Sequence, residues 1–182
     1  MIAAAMRPLT VSCVIDAPRE RIFDYLADIA NHLEFSDHFV HEFRLERLNS
    51  RGVGAAARFR IASSLARLPF GSRLASTWVE EVLTELEPPH RLAFEGRSGR
   101  IDRVPTRSEW RLTAHDHGMT RVAYTFASDP ANRIDRLRES LGGRTWLKRQ
   151  FARGLRRLRS ILEQGEPSSR EARIPAGHSP DI

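Results

Sequence analysis

A chain of 182 residues that is 41% hydrophobic has room for one domain with a sizeable core and is too short for two ordinary ones. Its single cysteine, Cys13, excludes an internal disulfide, and no run of about 18 consecutive apolar residues marks a membrane-spanning helix. The formal net charge is +6, carried unevenly, so its place in the chain matters more than its size.

The segment from Val11 to Phe35 changes period midway. Val11, Cys13 and Ile15 alternate as in a half-buried strand, where Cys13 reads as a small apolar residue rather than a catalytic thiol. Pro18 suits the first turn of a helix whose apolar face holds Ile22, Phe23 and Leu26. A second short helix, from Asp28 to near Leu33, follows so closely that the two must meet at an angle. The pattern is then of strands as far as Ser128. Phe39, His41, Phe43 and Leu45 share one face opposite Glu42, Arg44 and Glu46, and NSRG turns the chain. Val53 to Ala62 predicts the next strand, Ser72 to Leu86 one that stops at Pro88 and Pro89, and HRLAFEG one with Leu92 and Phe94 together. TRSEWRLTA sets Ser108, Trp110 and Leu112 against Arg107, Glu109 and Arg111. HDHG is a tight turn, and TRVAYTFA brings Val122, Tyr124 and Phe126 to one face. About seven antiparallel strands, each with one apolar side, predict a sheet with a single buried face.

The layer covering that face comes last. Asp129 and Pro130 open a helix in which Ile134, Leu137 and Leu141 recur, and Gly142 with Gly143 permits a kink. From Arg144 to Gln164 a longer helix carries Leu147, Phe151, Leu155, Leu158 and Leu162 in one stripe, with Arg149, Arg153, Arg156 and Arg157 opposite. Between Ala131 and Gln164 ten basic residues meet three acidic ones, which leaves the rest of the chain near neutral. The polar side of an amphipathic helix accounts for most of them. Aromatics interleaved with arginines would mark a nucleic-acid surface, and Trp146 is the only aromatic of this helix outside the stripe. Residues 1–8 read as a short extension, 9–164 as the domain and 165–182 as a disordered tail without apolar periodicity.

A strand, two short helices, a run of antiparallel strands and a long amphipathic helix, in that order, resemble the START-like or SRPBCC superfamily, the polyketide cyclase/dehydrase and lipid-transport group. The carrying phrases are VIDAPRERIFDYLADIANHLEF, EPPHRLAF, AHDHGMTRVAYTF and LKRQFARGLRRLRSILE, and the resemblance spans Leu9 to Glu163. It implies an α+β helix-grip fold, in which a curved sheet of seven or so strands wraps the long C-terminal helix and the two short helices plug one end. It also implies a deep cavity between sheet and helix, used by relatives for lipids, polyketides and similar apolar molecules.

On that reading the inner face holds Phe39, His41 and Phe43, then Phe59 and Trp78, then Phe94, Ser108 and Trp110, then Tyr124 and Phe126, with Leu147 and Phe151 from the helix. Either they line a cavity or they pack together as a filled core. The polar members are sharper. His41 could exchange a proton with a ligand carbonyl, or be a satisfied rim histidine. Glu80 has the parity of Trp78, so it is an acid or base if Trp78 faces inward, and a rim group if the strand twists. Tyr124 and Ser108 could orient the polar end of a ligand. His41, Glu80 and Tyr124 are thus the catalytic candidates. Arg144 falls on the stripe of Phe151 and Leu162, where it either clamps a carboxylate or phosphate or snorkels to solvent. Leu65, Leu68 and Phe70 put apolar bulk into a loop, as a lid or membrane-touching lip, a plug over the core or a dimer contact. His38, His41, His115 and His117 lack metal-site spacing, and no phosphate loop or nucleophile elbow is present, so neither metal nor cofactor is expected.

These readings predict a cytoplasmic protein that binds or transfers a small hydrophobic ligand of lipid, polyketide or isoprenoid type, as a monomer or homodimer. No specific nucleic acid is expected, and membrane contact is transient. Two alternatives stand beside this. One is a cyclase or dehydratase using one or two acid/base groups of the cavity, and the other a partner-binding protein acting through its basic helix.

Overall fold

The computed structural model describes residues 7–62, 76–98, 104–129 and 143–164. Strand β1 (Leu9–Ile15) leads through Pro18 into helix α1 (Arg19–Leu26), whose Ile22, Phe23 and Leu26 are buried as the sequence periodicity requires. A short 3-10 turn (Ile29–Asn31), capped by the Asp28 side chain accepting from the Ala30 amide, separates α1 from helix α2 (His32–Ser36). The second helical segment is therefore two pieces, shifted beyond the predicted end at Leu33. Strands β2 (Val40–Leu45), β3 (Ala56–Ala62), β4 (Ser76–Glu87), β5 (Arg91–Ser98), β6 (Val104–Ala114) and β7 (Thr120–Ser128) follow, and helix α3 (Arg144–Glu163) ends the fold.

The seven strands form one antiparallel sheet in the order β1-β7-β6-β5-β4-β3-β2. From β2 onward each strand pairs with the next, so the chain meanders from one edge to the other and β1 closes against β7. α1, the 3-10 turn and α2 carry the chain from β1 at one edge to β2 at the opposite one. This is the α+β helix-grip arrangement.

Helix α3 packs on β1 and α2. Leu155, Leu158 and Leu162 are buried on it, and full burial of a leucine such as Leu158 stabilises by about 1.5–3 kcal/mol. Gly154 lets α3 approach α2 closely: a Cβ there would lie 3.4 Å from the Phe35 carbonyl oxygen. Polar ties flank this contact. His38 Nε2 donates to the Gln150 carbonyl at 3.2 Å, Arg157 pairs with Asp37, and Glu163 accepts from the Asp16 amide at 2.9 Å.

The helix predicted from Asp129 to Leu141 beyond its capping residue Asp129, the lid residues Leu65, Leu68 and Phe70, and the tail from Gly165 lie outside the described residues. Among the described residues no helix is long and apolar enough to cross a membrane.

Candidate functional site

A cavity of about 80 Å³ lies between the concave face of the sheet and α3. Aromatic side chains make much of its wall. Phe151, from the middle of α3, meets Tyr124 at a ring-centroid distance of 4.9 Å, Phe126 at 5.6 Å and Phe39 at 5.9 Å, so one helical side chain bridges to β7 and to the turn before β2. Phe43 stacks on Phe59 at 5.9 Å, and Trp110 lies 4.5 Å from Tyr124. The volume holds several waters but falls short of the roughly 300–1,000 Å³ of ordinary ligand clefts, so a larger guest must displace aromatic rings such as Phe151.

Of the residues placed on the inner face by sequence, Phe39, Phe43, Phe59, Ser108, Trp110, Tyr124, Phe126 and Phe151 line this cavity. Phe94 is 2% exposed and packs at 5.5 Å from the His32 ring, filling the core beside the cavity. Leu147 is half-buried and outside the lining.

Five assignments are corrected. His41 is exposed, because β2 carries a bulge between His41 and Arg44 with Glu42 in the left-handed region at φ 52°. The bulge shifts parity, so Val40 and Phe43 face the cavity while His41 turns to solvent. Trp78 is on the outer face, with the Arg58 and Arg60 guanidinium carbons 5.1 and 5.0 Å from its ring centroid. Glu80, opposite Arg58, goes outward with it. Arg144 is no part of the cavity wall; its guanidinium donates to the backbone carbonyl of Arg7 just before β1. Trp146, too, is not outside the packing, for its ring lies 6.5 Å from Phe39 and is half-buried against the core.

Reversing the parity of β4 brings Glu81 inward between Val79 and Leu83. Its register partner on β5 is Gly96, and a Cβ at that glycine would stand 1.9 Å from the Glu80 carbonyl oxygen. Only glycine permits so close an approach of β5 to β4 beside Glu81. Glu81 is half-buried on the cavity wall, and burial of its carboxyl pushes its pKa from 4.5 to about 7 against the opposing effect of a hydrogen bond from Ser108. Ser108 also reaches the Tyr124 phenol, whose pKa burial raises far above its usual value, with the nearby Glu81 charge adding to the effect. Glu81, Ser108 and Tyr124, from β4, β6 and β7, thus form one polar cluster in an aromatic cavity. Further along the same row, past Gly96, the Thr106 hydroxyl is buried and finds no hydrogen-bond partner among the described residues.

The second group that sequence reasoning missed is His32. Its Nε2 donates to the Leu26 carbonyl at 2.8 Å, capping the C-terminal end of α1, which leaves Nδ1 as the acceptor of the neutral ring. The half-buried imidazole lines the cavity, and burial holds its pKa below the usual value. The sequence signal for His32 was its spacing of three from Phe35 on one helical turn; for Glu81 it was the apolar pair Val79 and Leu83 on either side. Among the described residues no cluster of His, Cys, Asp or Glu could hold a metal ion.

A curved antiparallel sheet gripping one long helix, with an aromatic-lined cavity between them, defines a helix-grip protein. The chain belongs to the polyketide cyclase / dehydrase and lipid transport family, whose model matches residues 6–163. Solved structures share the fold at low identity. TTHA0849 from Thermus thermophilus is similar with a TM-score of 0.64 and 15% identity, over 86% of this chain and 97% of that one. Ginseng major latex-like protein 151 from Panax ginseng gives 0.62 and 11%, over 86% and 97%. Protein Ms6760 from Mycobacterium smegmatis gives 0.58 and 18%, over 87% and 92%. A search of the curated proteins finds no match.

Proposed function

We infer that the protein binds a small, largely apolar ligand between the sheet and α3. The observation that carries this reading is the cavity itself, where aromatic walls leave space beside a polar cluster instead of closing over it. A fold built only for stability would fill such a space, since each unfilled volume of this kind forgoes packing contacts. Membership of a family described by cyclase, dehydrase and lipid-transport activities supports a ligand-binding role. Phe151 is the adjustable part of the wall, because it sits on the helix and touches both ends of the aromatic lining.

The test is binding of an apolar fluorescent probe to wild type and to Phe151→Trp. A stoichiometry near one, with affinity lost in the variant while the fold is kept, is the expected result. In a filled core the added ring would instead destabilise by about 1–3 kcal/mol and wild type would bind no probe, which would defeat the reading. Mass spectrometry of small molecules retained through purification from the native host identifies the ligand class.

One observation favours a second reading, acid–base chemistry on the bound molecule: Glu81 and His32, one near neutral pKa and one held neutral, line the same cavity. Turnover of a retained polyketide or isoprenoid, abolished in Glu81→Gln, would establish it.

A further inference from the structure

We propose that Glu81, Ser108 and Tyr124 are the recognition point of the cavity, and that they select a neutral ligand carrying a carbonyl oxygen while rejecting carboxylates. The proposal rests on the ligand-binding reading above and specifies the chemistry of that ligand.

The argument is one of donors and charge. With Glu81 protonated, a chain in which the Tyr124 hydroxyl donates to Ser108 and the Ser108 hydroxyl to the Glu81 carbonyl oxygen leaves the Glu81 O–H as the one hydrogen free to donate into the cavity. A ligand carbonyl accepts it in an otherwise apolar space, where an unmet polar group is costly. Once Glu81 ionises, the carboxylate takes the hydroxyl hydrogens for itself and little remains to donate. Binding of a neutral carbonyl is therefore coupled to keeping the proton on Glu81.

A carboxylate ligand meets the opposite situation. The groups facing Glu81 from each packed element are Ala57 on β3, Gly96 on β5, Ser108 on β6 and Tyr124 on β7, with His32 of α2 elsewhere on the cavity wall. Helix α3 presents Phe151, Gly154 and Leu155 to the cavity. Among the described lining residues none is an arginine or lysine, and Arg144 is engaged with the backbone of Arg7. An anionic ligand would thus bring a second negative charge toward Glu81 with no described cation to offset it.

The test uses the full chain and four single-ring probes of matched size: ethylbenzene, acetophenone, benzoate and benzylamine. Affinities are read by protein NMR titration at about pH 6 and about pH 8.5, on either side of the carboxyl titration. At the lower pH acetophenone should bind about fivefold tighter than ethylbenzene, the worth of one net hydrogen bond, and benzoate at least tenfold more weakly than acetophenone. At the higher pH the ketone should weaken by up to about fivefold as that hydrogen bond is lost, and its advantage over the hydrocarbon should shrink accordingly. Glu81→Gln, which keeps a donor but cannot ionise, should bind the ketone without that pH dependence and accept benzoate better. The wild-type titrations decide the matter even where the variant fails to fold. Ethylbenzene binding without ketone preference, equal affinity for benzoate, or benzylamine binding tightest with affinity rising with pH would each overturn the proposal and leave the cavity reading intact. Failure of both ethylbenzene and acetophenone to bind would overturn the cavity reading, and this proposal with it.

Discussion

Replacing Glu81 by glutamine isolates the energetic consequence of enclosing a carboxyl in an aromatic cavity. The unfolded chain releases this proton near 4.5 and the folded one near 7, so between those values the native state binds more protons than the unfolded state. Stability therefore falls as pH rises through that window. At about 1.36 kcal/mol per pH unit, the interval sets a ceiling of about 3 kcal/mol on the cost of ionised Glu81. Glutamine removes that cost without removing the side chain's volume.

The absolute profile of wild type mixes several groups of opposite sign. His32 and His38 have lowered pKa values, so each takes up its proton more readily in the unfolded chain, and stability falls as pH drops below their ordinary range. Asp28, Glu109 and Glu163 are held below the usual carboxylate values, and their contribution is lost under more acidic conditions. The difference between Glu81→Gln and wild type cancels these shared terms. Urea unfolding at successive pH values should show that difference growing in favour of the variant from about pH 4.5 to pH 8, toward roughly 3 kcal/mol, or a gain of about 6–12 °C in Tm at the alkaline end. A difference flat to within about 0.5 kcal/mol would mean that water solvates the carboxylate, and the account of an enclosed Glu81 would be wrong.

Three other substitutions probe the remaining structure. Gly96→Ala drives a Cβ into the Glu80 carbonyl, a backbone atom that cannot rotate away, and should cost more than about 3 kcal/mol or prevent folding by circular dichroism. His32→Phe keeps the ring but leaves the Leu26 carbonyl at the end of α1 without its donor; thermal unfolding should show a loss of about 1–3 kcal/mol. Arg144→Ala should leave the affinity of neutral and carboxylate probes alike unchanged in calorimetry, since the arginine reaches Arg7 and not the cavity; selective loss of carboxylate binding would restore the clamp.

What could be read from the sequence was whatever repeats. Two-residue alternation in TRSEWRLTA and TRVAYTFA placed Trp110, Tyr124 and Phe126 on the inner side because β6 and β7 are regular and pair without interruption from Thr106 to Ala114. The stripe of α3 was legible for the same reason: Leu155, Leu158 and Leu162 follow helical spacing through a straight segment. Errors came where one residue breaks a repeat. The bulge at Glu42 moves β2 by a step, and nothing in HEFRL signals a left-handed backbone at a glutamate. On β4 two equally plausible rows compete, Trp78 with Glu80 and Val79 with Glu81. Tryptophan's size argued for its burial, whereas the two arginines of β3 stack on it from outside.

The polar centre of the cavity follows from the same parity error, which is why reasoning by residue type found a histidine and a glutamate but the wrong ones. An isolated strand does not say which of its faces is concave; only the neighbour does. Arg58 and Arg60 alternate with Ala57, Phe59 and Ile61, so β3 has an unambiguous inner row, and its pairing of Phe59 with Val79 fixes β4 by contact. Had the strands been registered against each other before their faces were assigned, the two arginines would have drawn Trp78 outward and left Glu81 on the cavity side. Charge on one strand thus determines where a carboxyl on the next is desolvated, and through that desolvation the pH at which the carboxyl gives up its proton.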